Sequence, residues 1–302
     1  MEYLNLGSNL LSGKIIDCWM IWQSLKFLNL GDNNFTGSVL AFVGSLSLLQ
    51  SLHLYHNKLS RELPSSLKNC EMLVIVDIGE NELLGNIPSW IGHKLSRLMI
   101  LNFRLNHFHG QIPKELCVLT SLQILDISHN KLFGSIPRCV SNFNAMAAKN
   151  SSNPNINFMN FLGPYDMFES ALVVMKWRVL EYSTTLQLVK SIDLSKNDLS
   201  REIPQELISL QQLESLSLSF NILTGRIPES IGVMRSLKSI GFSINQLSGQ
   251  IPQSILSLTF LSHLNLSYNN LIGKILTSTQ LQSFNASSFI GNQLCGPPLS
   301  DN

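Results

Sequence analysis

Residues 122–140 read LQILDISHNKLFGSIPRCV, and this stretch decides the fold because most of the chain repeats it. Its pattern is L-x-x-L-x-L-x-x-N-x-L-x-G-x-I-P, and it recurs around an asparagine every 24 or 25 residues, with one longer step of 67 residues. The aligned asparagines are Asn9, Asn33, Asn57, Asn81, Asn106, Asn130, Asn197, Asn221, Asn245 and Asn269. A constant period of about 20–29 residues predicts a solenoid, in which each repeat packs only against its neighbours.

The alternation inside the motif predicts a short strand with two different faces. Leu125 and Ile127 point to one side, and we expect that side to be the core. Ile124, Asp126 and Ser128 point to the other side, and we expect that side to face solvent. Successive strands would then lie side by side in one sheet, with the polar residues in columns across its outer face.

The second half of the motif predicts how each coil turns back. Asn130 ends the strand, and its amide can satisfy backbone groups of the turn, so stacked copies predict an interior asparagine ladder. Gly134 permits backbone angles that a side chain disfavours. Residues 115–119 follow a proline and predict a helical turn on the convex back. The fold class is therefore an α/β solenoid: a leucine-rich-repeat superhelix of about ten repeats with a parallel β-sheet on its concave face.

The long step divides the chain into four parts. Residues 1–144 hold repeats one to six, the first of them partial and without an N-terminal cap. Residues 145–187 form an insertion, which we call the island, residues 188–283 hold repeats seven to ten, and residues 284–302 predict a C-terminal cap that stops early. Long insertions in solenoids are loops that often lie on the binding face.

The second half of the island alternates apolar and basic residues, which predicts a strand or hairpin that folds over the concave surface. The alternative is a disordered insertion, which would leave its apolar face exposed. We take as candidate contact residues of the island Lys176, Trp177, Arg178 and Tyr182.

Composition excludes several function classes. Charged residues make up 14% of the 302 residues and the formal net charge is +1, so no electrostatic footprint for nucleic acid or an anionic membrane exists. No apolar run reaches the length of a membrane span, and no signal peptide is recognisable, which predicts a piece of a longer protein or a truncated gene product. Sequons for N-glycosylation occur at Asn34, Asn150, Asn265 and Asn285.

Five cysteines leave at least one without a partner in the chain. Cys117 and Cys139 fall on the backs of adjacent repeats, so they form either a disulfide or two small buried apolar residues. Their spacing does not fit a zinc site.

No catalytic motif is present, and we predict neither an enzyme nor a cofactor. The outward polar residues of the strands allow three interpretations: a solvated polar face, a metal or acid–base pair at Asp126 and Asp193, or a ligand-contacting acidic patch. The candidate ligand-binding residues on the concave face are His53, Tyr55, His56, Asp77, Glu80, Asn102, Arg104, Asp126, His129 and Asp193.

Three features together resemble the plant receptor-like proteins of the Cf and EIX type, and most closely the apple scab-resistance (Vf-type) group. They are the G-x-I-P tails, ESALVVMKWRVLEY at residues 169–182 with four repeats after the island, and GNQLCGPPL at residues 291–299. The resemblance covers essentially the whole chain. It implies the C-terminal part of an extracellular solenoid, which senses a protein or peptide ligand in defence or development.

Such proteins are single-pass plasma-membrane receptors, and the resemblance implies membrane attachment only through a segment absent from this chain. They signal through membrane co-receptor kinases that touch the last repeats and the island. The candidate co-receptor contacts are Phe220, Ile244, His263 and Tyr268. Two other functions stay open, namely a soluble cell-wall inhibitor of pectin-degrading enzymes and a non-functional receptor fragment. The island argues against the inhibitor, whose repeats run without interruption.

Overall fold

The computed structural model describes residues 1–15, 22–39, 41–147, 171–175, 178–182 and 189–299. Ten short parallel strands form one sheet in chain order, which confirms the predicted solenoid with a parallel sheet on its concave face. These concave strands are Tyr3–Asn5, Phe27–Asn29, Ser51–His53, Ile75–Asp77, Ile100–Asn102, Ile124–Asp126, Ser191–Asp193, Ser215–Ser217, Ser239–Gly241 and His263–Asn265.

The central residue of each concave strand points into a continuous apolar core. Leu28, Leu52, Leu125 and Leu216 are at most 3% exposed and belong to a single cluster that runs along the described repeats. Each coil buries its leucines against the coils on either side, so stability accumulates repeat by repeat.

A second set of parallel strands follows the ladder asparagines, except Asn221, where only isolated bridges form, and this set was not predicted from the sequence. The residues around L-x-G alternate, so that Leu132 is fully buried while its neighbour Phe133 is 50% exposed. We call this set the lateral strands. They are Ser12–Lys14, Asn34–Ser38, Lys58–Arg61, Glu82–Asn86, His107–Gln111, Lys131–Gly134 and Asp198–Leu199, with Ser248–Gly249, Asn270–Lys274 and Gln293–Cys295 in a smaller sheet.

The convex side consists of short helical turns, as predicted. Most are 3-10 turns, and several begin directly after a proline with extended backbone angles. The α-helices among the described residues are Trp90–Lys94 and Thr279–Gln282. The 3-10 turns are Ala41–Ser45, Ser65–Asn69, Lys114–Val118, Arg138–Asn142, Asn144–Met146, Gln205–Ser209, Ile231–Val233, Gln253–Ser257 and Ala286–Ser288.

The asparagine ladder is present and saturates its hydrogen bonds. Asn106 accepts from the backbone N–H of Leu83 at 3.0 Å, and its amide donates to the carbonyls of Ile78, Phe103 and Arg104 at 3.0, 3.2 and 3.2 Å. Two of these four partners lie in the preceding repeat, so each asparagine ties two coils together. Because the side chain is 4% exposed, the ladder satisfies turn groups that water does not reach.

The ladder continues into the cap, where the sequence pattern did not lead us to expect it. Asn292 accepts from Leu271 N–H at 3.0 Å and donates to the carbonyls of Leu266 and Phe289 at 2.9 and 3.0 Å. Phe289 is fully buried and covers the last core layer, in the place where a repeat has leucine. The cap is therefore an incomplete repeat, closed by an aromatic ring.

The island leaves the solenoid without breaking it. The strand Ile124–Asp126 pairs directly with Ser191–Asp193, although 64 residues separate their facing ends in the chain. Strands Ala171–Met175 and Arg178–Tyr182 form an antiparallel hairpin, which we call the island hairpin. Its first strand approaches the strand Ser191–Asp193. The structure therefore has the hairpin that the alternating sequence predicted, beside the concave sheet.

Candidate functional site

Wherever a concave strand ends in aspartate or asparagine, a backbone N–H group holds the side chain of that residue. The Oδ1 atoms of Asp126 and Asp193 accept from the N–H groups two residues later, at Ser128 and Ser195, over 3.0 and 2.9 Å. Asn102 does the same toward Arg104. Such Asx turns satisfy the N–H group at which the strand ends.

The expectation that these strand-end residues face solvent is wrong for the middle of the sheet. Asp77, Asn102, Asp126 and Asp193 are between 1% and 6% exposed, and His53 is 3% exposed. The residues curl into their own turns and stack on the same position of the next strand, at about 4.8 Å spacing, so neighbours exclude water from them. Their polar groups act first as caps of the strands.

Asp126 and Asp193 face each other in register across the two strands that flank the island. Burial is the main cause that raises the pKa of Asp126 to about 7, and the neighbouring Asp193 raises it further, while Ser128 and Arg104 oppose the shift. Burial likewise raises the pKa of Asp193. The two side chains therefore hold a proton at mildly acidic pH. Burial also raises the pKa of Asp77 to about 6, against the effect of His53.

Basic residues border this acidic pair. Arg104 donates from an Nη atom to Ser128 Oγ at 3.4 Å, and its buried Nε has no hydrogen-bond partner among the described residues. Burial, Arg104 and Lys196 lower the pKa of His129 to about 4, so its ring is neutral at physiological pH. The arrangement offers donors above buried carboxyl groups, which suits binding of a polar ligand better than proton transfer.

The residue before each ladder asparagine has a left-handed backbone, a feature that the sequence analysis missed. His56, Glu80 and His129 have φ values of 50°, 56° and 54°. A left-handed residue is strained when it is not glycine, yet ten repeats place a side chain there. The left-handed residues are Ser8, Asp32, His56, Glu80, Leu105, His129, Lys196, Phe220, Ile244 and Tyr268. This left-handed column lies at the edge of the concave face, and most of its side chains are partly or well exposed.

At the C-terminal end the left-handed column becomes apolar. Phe220, Ile244 and Tyr268 occupy three consecutive repeats and are 40%, 38% and 54% exposed. The ammonium group of Lys196 lies 5.2 Å from the centre of the Phe220 ring. His263, the fourth predicted co-receptor residue, lies on a concave strand and is half-buried. We call the exposed apolar set the apolar edge, and it comprises Phe220, Ile222, Ile244, Tyr268, Ile272 and Ile290.

At the N-terminal end the predicted residues form an aromatic group. The ring of His53 lies between Phe27, at 5.5 Å, and Tyr55, at 6.3 Å. His56 is separate from these rings and pairs through Nδ1 with Asp32 at 2.8 Å. The predicted contact residues therefore divide into an aromatic group, a charged group and an apolar edge, rather than one site.

The island residues are only partly described. Arg178 and Tyr182 are the first and last residues of the second hairpin strand, and they pair with Met175 and Ala171. Lys176 and Trp177 lie outside the described residues.

Three of the four sequons lie within the described residues. Asn34 on a lateral strand and Asn285 before the cap turn are exposed. Asn265 is half-buried, and its Oδ1 accepts from the N–H and Oγ of Ser267 at 3.0 and 2.7 Å. Asn150 lies outside the described residues.

Cys117 and Cys139 form a disulfide between the convex turns of repeats five and six, with their Cα atoms 5.7 Å apart. Of the two alternatives for this pair, the structure has the bond. The described cysteines outside it are Cys70, which is buried, and Cys295, which is exposed. Cys18 lies outside the described residues.

The described ranges contain no group of three or more metal-ligating side chains that could hold a metal ion. Within the same ranges, no helix has the length and apolar character needed to cross a bilayer.

Comparison with known proteins agrees with this architecture. The family model described as Leucine Rich Repeat matches residues 24–46, 48–70, 121–143, 212–234 and 260–285. Receptor-like protein EIX2 of Solanum lycopersicum is 52% identical over 303 residues, which is 99% of this chain and 30% of the relative. The chain thus spans about a third of the length of this relative. The finer resemblance to the apple scab-resistance group stays a prediction.

Solved receptor ectodomains share the fold. That of the receptor kinase GASSHO1/SCHENGEN3 from Arabidopsis thaliana, in complex with CASPARIAN STRIP INTEGRITY FACTOR 2, is 30% identical with a TM-score of 0.75, over 99% of this chain and 33% of that one. The Arabidopsis receptor kinase HAESA, in complex with the peptide hormone IDA and the co-receptor SERK1, is 28% identical with a TM-score of 0.70, over 97% of this chain and 50% of that one.

Proposed function

The chain belongs to the leucine-rich-repeat receptor-like proteins of the EIX type, and from this premise we propose that it is a non-catalytic recognition module on the extracellular side of the plant plasma membrane. It binds a protein or peptide ligand with its concave face in defence or development. It engages a membrane co-receptor kinase with its last repeats.

The observation that carries the proposal is that the outward side chains form two sets, one that caps the strands and one that is exposed. Strand-end residues such as Asp126 are buried and bonded to their own turns. The left-handed column is instead aimed away from the core in every repeat, although its backbone is strained. A regular row of exposed side chains, whose charge differs from one repeat to the next, can contact an extended polypeptide that crosses several repeats. The ectodomain of GASSHO1/SCHENGEN3, which has the same fold, is in complex with CASPARIAN STRIP INTEGRITY FACTOR 2.

The ligand-binding part of the proposal centres on the charged group between repeats four and seven. Glu80, Arg104, His129 and Lys196 border the concave face there, and the island hairpin approaches the strand Ser191–Asp193 that precedes Lys196. Arg104 is half-buried, and its Nη holds Ser128 Oγ only at 3.4 Å, so the guanidinium group can donate to a ligand oxygen in a charge-assisted hydrogen bond.

The co-receptor part of the proposal rests on the apolar edge. Six large apolar side chains that are 38–54% exposed lie within three repeats and the cap. A row of exposed aromatic and branched residues beside a polar surface is typical of a protein interface. HAESA is complexed with both a peptide hormone and the co-receptor SERK1, which supports the same pair of partner classes for this chain.

The ligand face is tested by selecting a random peptide display library on the secreted chain. We expect the enriched peptides to bind wild-type protein and to lose about tenfold or more in affinity for Arg104→Ala and Lys196→Ala, since hydrogen bonds to charged groups contribute about 1.5–3 kcal/mol. Lys114→Ala, on a convex turn, is the matched control and should leave binding unchanged. Peptides that depend on Lys114 as often as on Arg104 would refute a concave ligand site.

The apolar edge is tested with the SERK1 ectodomain as probe, by biolayer interferometry on the immobilised chain with the enriched peptides present. Truncating a buried interface aromatic costs about 2 kcal/mol, so the double variant Phe220→Ala/Tyr268→Ala should bind at least tenfold more weakly. Phe133→Ala removes an equally exposed ring from a lateral strand and serves as control. Equal losses in both variants would contradict the assignment.

A further inference from the structure

Four rings line the concave face of the first three repeats. Tyr3 and Phe27 are paired in register, and their rings stack at 4.3 Å with an angle of 11° between the planes. Phe27 continues to His53 at 5.5 Å, and His53 meets Tyr55 edge-on at 6.3 Å. Phe27 and His53 are 3% exposed, whereas the two tyrosines are partly exposed. The buried pair therefore supports two accessible rings.

The absence of a side chain at Gly31 allows the ring of Tyr55 to pack against the backbone. A methyl group on Gly31 would lie 2.5 Å from Cε1 of Tyr55, so the ring rests directly on the backbone of the preceding repeat. Gly7 has the same relation to the amide of Asn29. Most other repeats place serine or arginine at this position, for example Ser195 or Arg104. The result is a shallow surface of rings and amides, which we call the aromatic platform and which comprises Tyr3, Phe27, Asn29, His53 and Tyr55.

Charged groups around the aromatic platform are already paired. Lys26 Nζ contacts Glu2 at 2.8 Å, and His56 Nδ1 contacts Asp32 at 2.8 Å. The platform therefore presents a nearly neutral surface, unlike the charged group near Arg104. A ligand that binds here needs flat apolar faces and many hydroxyl groups, but no charge.

We propose that the aromatic platform binds a neutral oligosaccharide. The C–H face of a pyranose ring stacks on tyrosine, and its hydroxyl groups match the amide of Asn29, whose Nδ2 can donate while its Oδ1 accepts from Gly31 N–H at 2.8 Å. Tyr3 lies on the first concave strand and Tyr55 follows the third, so they are two strand spacings, about 10 Å, apart along the stack, and the surface spans more than one sugar unit. This site is separate from the proposed protein-ligand and co-receptor surfaces, so its failure would leave both of them standing.

The test uses saturation-transfer NMR and calorimetry on the full chain, with cellopentaose, xylopentaose and mannopentaose as neutral probes and trigalacturonic acid as an anionic one. We expect saturable binding of at least one neutral pentasaccharide. Tyr55→Ala should weaken this binding about tenfold, because it removes a stacking ring. Gly31→Ala should weaken it similarly, because the backbone of Gly31 is not left-handed and accepts alanine, whereas the new methyl group would lie 2.5 Å from Cε1 of Tyr55 and displace the ring.

Two controls separate recognition from stability. Tyr55→Phe keeps the stacking ring and should retain most of the affinity, and Phe260→Ala, which removes an exposed aromatic ring in the last repeat, should retain all of it. Circular dichroism of each variant confirms that it folds. The proposal is overturned if no neutral pentasaccharide binds, if only trigalacturonic acid binds, or if Phe260→Ala weakens binding as much as Tyr55→Ala.

Discussion

Replacing Asp126 with asparagine should stabilise the solenoid at neutral pH and leave it unchanged at low pH. The carboxyl groups of Asp126 and Asp193 are buried and face each other, and the pKa of Asp126 is about 7. An amide keeps the Oδ1 atom that accepts from Ser128 N–H. The chain itself shows that an amide fits, because the neighbouring strand has Asn102 in the same column with the same hydrogen bond.

The sign and size of the effect come from proton linkage. In the unfolded chain an aspartate titrates near pH ~3.9, whereas the folded Asp126 holds its proton up to about pH 7. The folded state therefore binds more protons between these values, and its stability falls as the pH rises through this window, by at most about 1.4 kcal/mol per unit. Over about three units the loss is on the order of 2–4 kcal/mol. It is complete above the folded pKa and absent below the unfolded one.

Urea unfolding followed by circular dichroism, at pH values from about 4 to about 8, measures the difference. The Asp126→Asn variant should match wild type near pH 4 and exceed it by on the order of 2–4 kcal/mol near pH 8. The exposed Asp198 on a lateral strand provides the control, and Asp198→Asn should differ by less than about 0.5 kcal/mol throughout. A gap that does not change with pH, or a variant that is less stable at pH 8, would refute the reasoning.

Three further stability predictions use the same unfolding assay. Asn106→Ala should lower the free energy of unfolding by about 2–4 kcal/mol, because it leaves four backbone groups without their hydrogen-bond partner. Asn9→Ala, on the exposed first coil, should lower it by less than about 1 kcal/mol. Equal losses in the two variants would contradict a stabilising role for the asparagine ladder. Cys117→Ser should lower stability by about 3 kcal/mol, the loop-closure value for this spacing, and a reducing agent should then have no further effect. Arg201→Gly should raise the free energy of unfolding by about 0.5–1 kcal/mol, because φ is 70° at this residue and glycine adopts that angle without strain. Gly134→Ala, at the equivalent position of another repeat, should lower it. A lower stability of Arg201→Gly would show that the arginine side chain makes stabilising contacts.

The period of the sequence was sufficient to predict the coils, because each motif position has one environment. Leu125 is buried as its place in L-x-x-L-x-L requires, and Asn130 bonds as its place at the strand end requires. The cap was harder, since Ser287 stands where the motif has its second leucine and obscures the eleventh rung at Asn292. The F-x-x-N-x-L-x-G spacing around it could have indicated that rung.

The functional surface was predicted less well than the fold, for a physical reason. Alternation predicts which side of a strand a residue faces, but it does not predict whether neighbours cover it. Asp126 faces outward and is nevertheless 4% exposed, because its carboxylate turns back to Ser128 and stacks on the next strand. His129 directly precedes the ladder asparagine, and its exposure depends on a left-handed φ of 54°. The residue types found at this position do not predict that backbone conformation.

The contrast between buried strand-end residues and the exposed left-handed column determines which positions can change ligand specificity without changing stability. A change at a strand-end position alters the cap of a strand and so alters stability, whatever it does to a ligand. A change in the left-handed column leaves the ladder intact, because the backbone there is already held by hydrogen bonds such as His129 N–H to Ser195 O at 2.8 Å. His129→Ala should therefore change unfolding free energy by less than about 1 kcal/mol, since surface substitutions rarely exceed this. The same substitution should still weaken the peptides selected on the concave face, and a variant with intact affinity but lower stability would place His129 among the structural residues instead.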